Sequence, residues 1–130
     1  MSTVSSLDYL NASLSIREAQ LSTTASNLAN QDTPNYKAKG VDFNRELNNI
    51  ISDTPVGLNK THQRHMDAAN SNGGFNVLYV ESGVEKADGN TVNGSLEKSK
   101  FAEYQVQYQA ALEFSTKKFN SELNAYKDSK

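Results

Sequence analysis

Eleven residues, Asn27-Leu28-Ala29-Asn30-Gln31-Asp32-Thr33-Pro34-Asn35-Tyr36-Lys37, fix where the first long element of this protein must stop. Upstream of them Leu7, Leu14, Leu21 and Leu28 recur every seven residues, with Leu10 and Ala25 on the same side. That spacing places them on one face of an α-helix. Pro34 forbids continuation, because it has no N–H and drives Thr33 towards extended geometry. Asp32 and Thr33 favour a turn through local side-chain bonds. Asn30 can take the left-handed conformation that often ends a helix, and its amide can bond nearby backbone groups. The expectation is a helix over 5–30 that the chain then leaves abruptly.

The polar side of that helix is unusual. Asn11, Ser13, Ser15, Gln20, Ser22, Thr23, Thr24 and Ser26 dominate it, and only Asp8, Arg17 and Glu18 carry charge before Asp32. Ser, Thr and Asn compete for backbone hydrogen bonds and form helices poorly, so this segment is weak alone in water. Two readings stand: an indifferent surface helix, or a helix whose polar side also meets protein, where small neutral groups pack without like-charge repulsion.

Residues 35–57 read as a connector. Asp42 is a good N-cap, Phe43, Leu47, Ile50 and Ile51 follow at helical spacing, and Thr54-Pro55-Val56-Gly57 breaks the helix. Residues 58–95 form an irregular middle. Asn70-Ser71-Asn72-Gly73-Gly74 is a turn, 75–81 has strand composition, and Ser82-Gly83 would fold it back on a short strand at 84–87 as a hairpin. Asp88-Gly89-Asn90 is a further turn. Residues 96–127 read as a second long helix, capped by Ser95, with Glu97 favoured by the helix dipole. Phe101, Tyr104, Tyr108, Ala111, Leu112, Phe119, Leu123 and Tyr126 lie three, four or seven apart along it. The expected fold is one mainly α domain over 1–130, its long terminal helices paired as an antiparallel coiled coil. Part of the aromatic stripe makes the core of that pair. The tyrosines, with their polar tips, suit a seam facing other subunits.

Composition narrows the function. Hydrophobic residues are 36% and Trp is absent, so the core is thin and some apolar surface is left for other proteins. A formal charge of −2 without a basic cluster argues against nucleic acid. No apolar run reaches bilayer length, and 1–6 lack the basic and apolar regions of a secretory signal. With no Cys there is neither disulfide nor thiol catalysis. His62 and His65, with Asp67 nearby, are too few to specify a metal centre. The acids Asp53, Glu81, Glu85 and Asp88 would serve as a glycosidase pair only if a cleft held two of them about 5–10 Å apart. No nucleophile elbow, phosphate loop or dinucleotide fingerprint occurs. Neither catalytic residues nor a cofactor are expected.

The string Asn-Leu-Ala-Asn, one residue, Asp-Thr-Pro, one residue, Tyr-Lys resembles the signature of the bacterial flagellar rod, hook and distal-rod proteins. Thr61-His62-x-x-His65, Asp88-Gly89-Asn90-Thr91-Val92, and Glu97 with Gln105 and Tyr108-Gln109 make the sequence most similar to the proximal-rod subfamily. It departs from that pattern at Asn93 and Gly94, where an acid and an apolar residue are usual, and at Lys98. The resemblance implies a structural subunit exported by the flagellar type III apparatus without a cleaved signal. It implies a place in the periplasmic rod, with terminal helices lining the export channel and transmitting torque. The implied neighbours are copies of itself, the rod-base adaptor, the inner-membrane ring protein and other rod proteins. The assembly residues expected are Leu7, Leu10, Leu14, Leu21, Ser22, Asn27, Leu28, Asn30, Pro34 and Tyr36 in the first half, and Phe101, Tyr104, Tyr108, Leu112, Phe119 and Leu123 in the second. The alternatives are another axial protein of the rod and hook group, a helical type III secretion adaptor or chaperone, and a peptidoglycan hydrolase. Because His62 and His65 lack further His or Cys partners, protein purified without a tag should carry no stoichiometric zinc by elemental analysis.

Overall fold

The computed structural model describes residues 5–52 and 75–130; His62, His65, Asp67, Asp53 and the expected turn at 70–74 lie outside them. Its elements run α1 (Ser6–Ala29), β1 (Lys39–Gly40), α2 (Phe43–Ser52), β2 (Leu78–Tyr79) and α3 (Gly94–Asp128). The long terminal helices pack against each other. They run antiparallel: Asn27 near the end of α1 bonds Glu97 near the start of α3, and Arg17, further back, lies in the field of Glu103 and Tyr104.

The helix ends follow from local chemistry. Ser5 caps α1, its Oγ accepting from Asp8 N at 3.1 Å. At the other end Asn30 is not left-handed (φ −105°, ψ 16°). Its Nδ2 adds a second bond at 2.8 Å to Ser26 O, which already accepts from Asn30 N. Asn27 O and Leu28 O accept from Asn30 N and Gln31 N in a tightened last turn, so no left-handed residue is needed there. The left-handed residue is Asn35, at φ 60° in the turn that follows. α3 begins two residues before the expected start. Asn93 is the cap, accepting from Leu96 N at 3.2 Å, and Ser95 falls inside the first turn. Asp42 caps α2 as expected, accepting from Arg45 N at 3.0 Å.

The small antiparallel β element is present, but its partner differs from the hairpin expected. β2 pairs with β1, Lys39 opposite Tyr79 and Gly40 opposite Leu78, and residues 84–87 are not a strand. The strands approach closely at Gly40, where a Cβ would lie 2.6 Å from Val80 Cγ2. Instead of a return strand, Ser82 Oγ bonds Thr91 O and Val84 N, tying this segment to the loop before α3.

Ile16, Ala19, Val41 and Leu47 form the core, with Ala12, Phe43, Phe75 and Val77 packed round it. The buried face of α1 is Ile16, Ala19, Gln20, Thr23, Thr24 and Asn27. That face is about a third of a turn from the heptad leucines, at ~100° per residue. Leu7, Leu10, Leu14, Leu21 and Leu28 are half-buried along its rim. Polar groups survive at the buried centre because they are bonded: Gln20 Nε2 donates to Val41 O at 3.0 Å and Thr23 Oγ1 to Ala19 O at 2.8 Å. Arg17 stacks 3.8 Å above the Phe43 ring and donates to Gln20 Oε1.

Burial, reinforced by the negative charges of Glu103 and Glu97, raises the Tyr104 hydroxyl above its ordinary value of 10.0; Arg17 opposes this weakly. A raised acid pKa contributes stability that is complete below the unfolded value and is lost as pH rises through the folded one. Ultraviolet titration should therefore show one late-ionising tyrosine that disappears in Tyr104→Phe.

Candidate assembly interface

Asn27 is fully buried, at 0% exposure, and every polar atom of its amide is bonded. Nδ2 donates to Lys39 O at 2.7 Å and to Glu97 Oε2 at 3.0 Å. Oδ1 accepts from Lys39 N at 3.0 Å and from the Tyr36 hydroxyl at 3.1 Å. One amide therefore ties α1 to the connector, the connector to β1, and α1 to α3. Glu97, 2% exposed, also has Lys100 Nζ 3.7 Å from its other oxygen and stands in the first turn of α3, where the dipole favours an anion.

A second buried amide, Asn90, binds the turn after α1 to the loop before α3. Its Nδ2 donates to Asn30 O and Thr33 O, both at 2.8 Å, and its Oδ1 accepts from Val92 N at 2.8 Å. Around it Asn35 N donates to Asp88 O, Thr91 N to Tyr36 O and Ala38 N to Thr91 Oγ1. Lys37 Nζ reaches Gly89 O and Lys86 Nζ reaches Gln31 O. Gly89, at φ 80°, admits this approach: a Cβ would sit 2.5 Å from Asn35 Oδ1. The string 27–37 and the string 88–92 thus form one hydrogen-bonded junction. In the sequence Asp88-Gly89-Asn90 reads only as a turn, and the buried role of Asn90 escapes that reading, although its place among turn residues just before a long helix is a usable signal.

The expected assembly residues divide between this junction and the helix surfaces. Asn27, Asn30 and Tyr36 belong to the junction, while Pro34 is exposed at its turn. Ser22 is exposed on α1. On α3 Phe101, Tyr104 and Tyr108 are half-buried, whereas Leu112, Phe119, Leu123 and Tyr126 are exposed. Glu97, Phe101, Tyr104, Tyr108, Ser115, Phe119 and Tyr126 share one helical face. Continuing the Asn27–Glu97 register along both helices places Ser6 opposite Lys118. The stripe therefore outruns the described part of α1, and Phe119 and Tyr126 are left 55% and 63% exposed.

Of the acids considered for a catalytic pair, Asp53 lies outside the described residues and the other three are on the loop surface. Glu81, Glu85 and Asp88 are exposed, Glu85 lies 3.7 Å from Lys37, and Asp88 Oδ1 accepts from Asn90 N. The open groove beside them, about 640 Å³, is lined by Lys37, Tyr79–Glu85 and Thr91. Among the described residues there is no metal-ligand cluster, and no helix is long and apolar enough to cross a membrane.

Comparison with known proteins agrees with the signature. The family described as flagella basal body rod protein matches residues 13–37, the segment that holds Asn27, Asn30 and Tyr36. The sequence is 32% identical over 114 residues to the flagellar basal body rod protein FlgB of Aeromonas hydrophila, covering 88% of this protein and 86% of that one. It is 32% identical over 115 residues to FlgB of Bacillus subtilis, covering 88% of each. Against FlgB of Salmonella typhimurium it is 32% identical over 112 residues, covering 82% and 81%.

Removing the Asn27 amide leaves Lys39 N–H, Lys39 C=O and one Glu97 oxygen short of a buried partner. Asn27→Ala should destabilise the fold by roughly 2–4 kcal/mol, because each unpaired buried polar group costs about 1–3. Urea unfolding followed by circular dichroism measures it; a change within about 0.5 kcal/mol, the size of an ordinary surface substitution, would contradict the role given to this residue.

Proposed function

The chain belongs to the FlgB family of flagellar basal body rod proteins, and from that premise we propose that it polymerises through its terminal helices to build the proximal rod. The observation that supports this reading is the α3 stripe. It is half-buried at Phe101, Tyr104 and Tyr108 under α1, already exposed at Leu112, and exposed again at Phe119, Leu123 and Tyr126, where the described α1 has ended. An aromatic stripe continuing past its own partner is apolar surface suited to the helices of neighbouring subunits. The half-buried leucine rim of α1 offers a matching strip, and the polar face holds Ser15, Ser22 and Ser26, small enough for close approach.

In this arrangement the helices surround the export channel and carry torque as a drive shaft. The work is mechanical: load passes through packed side chains and the Asn27–Glu97 junction, with no bond made or broken. The partners are further copies, the rod-base adaptor, the inner-membrane ring protein and the other rod proteins. The protein reaches the periplasmic rod through the flagellar type III apparatus. An enzymatic role, such as peptidoglycan hydrolysis, has less support, since the exposed acids lie on an open loop surface.

A single charge tests whether the polar side of α1 faces other subunits. On a solvated helix Ser22→Asp should cost within about 0.5 kcal/mol. In a packed ring of copies the same carboxylate repeats at every subunit and is desolvated each time. Ser22→Asp should therefore impair motility and rod assembly while Ser22→Ala is tolerated. Normal swimming and normal rods in Ser22→Asp would count against polymerisation through this face.

A further inference from the structure

We infer that Asn93–Gly94 is a site of spontaneous covalent modification whose reactivity the fold suppresses. Both residues have structural reasons to be there. Asn93 is the N-cap of α3, its Oδ1 accepting from Leu96 N at 3.2 Å and its backbone carbonyl oxygen accepting from Glu97 N at 2.9 Å. Gly94 begins the helix where the backbone passes Gln31, and a Cβ there would lie 2.9 Å from Gln31 Oε1. Together they make an asparagine followed by a residue with no side chain to shield its backbone nitrogen.

That pairing has its own chemistry in water. Deprotonated by hydroxide, Gly94 N attacks Asn93 Cγ. A new bond forms between Gly94 N and Cγ, the Cγ–Nδ2 bond breaks, ammonia leaves, and a five-membered succinimide results. Water then adds to one of the two ring carbonyls. Cleavage between nitrogen and Cγ gives aspartate. Cleavage between nitrogen and the backbone carbonyl carbon gives isoaspartate, which routes the backbone through the β-carbon. The net change is one water consumed and one ammonia released.

Ring closure requires the Asn93 Cα–Cβ bond to eclipse the C–N bond to Gly94. At the observed φ −93° and ψ 100°, Cβ is turned well round the Cα–C bond from Gly94 N, and the Leu96 amide holds the side chain in the cap. Reaction therefore needs the first turn of α3 to open. The two products then diverge. Aspartate can still accept from Leu96 N as a cap and suits the helix dipole. Isoaspartate lengthens the backbone next to Glu97 and removes the register that brings Glu97 to Asn27.

The test uses the full-length protein at mildly alkaline pH, folded and in denaturant, with conversion at position 93 followed by peptide mapping and mass spectrometry. In denaturant Asn93 should convert to aspartate and isoaspartate, and Gly94→Ala should slow this markedly. In the folded protein the conversion should be at least about threefold slower, because only the open fraction reacts. Asn27→Ala, which loosens the junction without denaturant, should move the folded rate towards the unfolded one. Folded protection below threefold, no conversion at Asn93 in the unfolded protein, or indifference to Gly94→Ala there would each overturn the inference. None of these outcomes depends on rod assembly.

Discussion

One buried carboxamide holds the two ends of this protein together. Asn27 has two donors and two acceptor lone pairs, and the fold uses all four. A hydrophobic side chain at this point would be easier to bury but would give no direction. The amide accepts only one arrangement of Tyr36, Lys39 and Glu97, so it fixes the register of α1 against α3 as well as their contact. With a core of so few large side chains, that specificity cannot come from packing alone.

The second amide repeats the device one layer further out. Asn90 stands to the turn after α1 as Asn27 stands to the helix itself, buried and satisfied, but where Asn27 also bonds side chains, the Asn90 amide bonds only backbone. Together they tie the turn after α1 and the loop before α3 to the helices. The turn at 30–38 and the loop at 82–92 contain neither helix nor strand, yet their backbone groups pair with each other across the junction.

Reading the sequence located the helices well, because heptad leucines, Pro34 and the aromatic stripe of α3 are strong periodic signals. It did less well wherever polarity decided the outcome. The leucines looked like the centre of the α1 seam and are its rim; the centre is Gln20, Thr23, Thr24 and Asn27, whose burial depends on partners that no local pattern reveals. The strand at Leu78–Tyr79 was legible in its β-branched and aromatic neighbourhood, but its partner was not, since two residues at Lys39–Gly40 show no period. At Asn30 the helix ends in a tightened turn, with the side chain adding a bond to Ser26 O, rather than in a left-handed backbone, and both routes are open to the same residue. Of the junction, the half at 27–37 stood out as a string; Asn90 did not, because turn residues are common and burial is not written in their type.

The bonds at the junction join residues far apart in sequence: Asn30 to Asn90 is a separation of 60, and Asn27 to Glu97 a separation of 70. α1 is rich in poor helix formers, and what holds its end in place lies in the last third of the sequence. During synthesis from the N-terminus, Asn27 can reach Tyr36 and Lys39 early, but most of the protein must be made before it meets Glu97 or before Asn90 meets Asn30 and Thr33. Until then the loop-closure cost is not offset and the early helix has little to hold it. The junction is therefore complete only when the final helix has been made, and that helix is what closes the molecule.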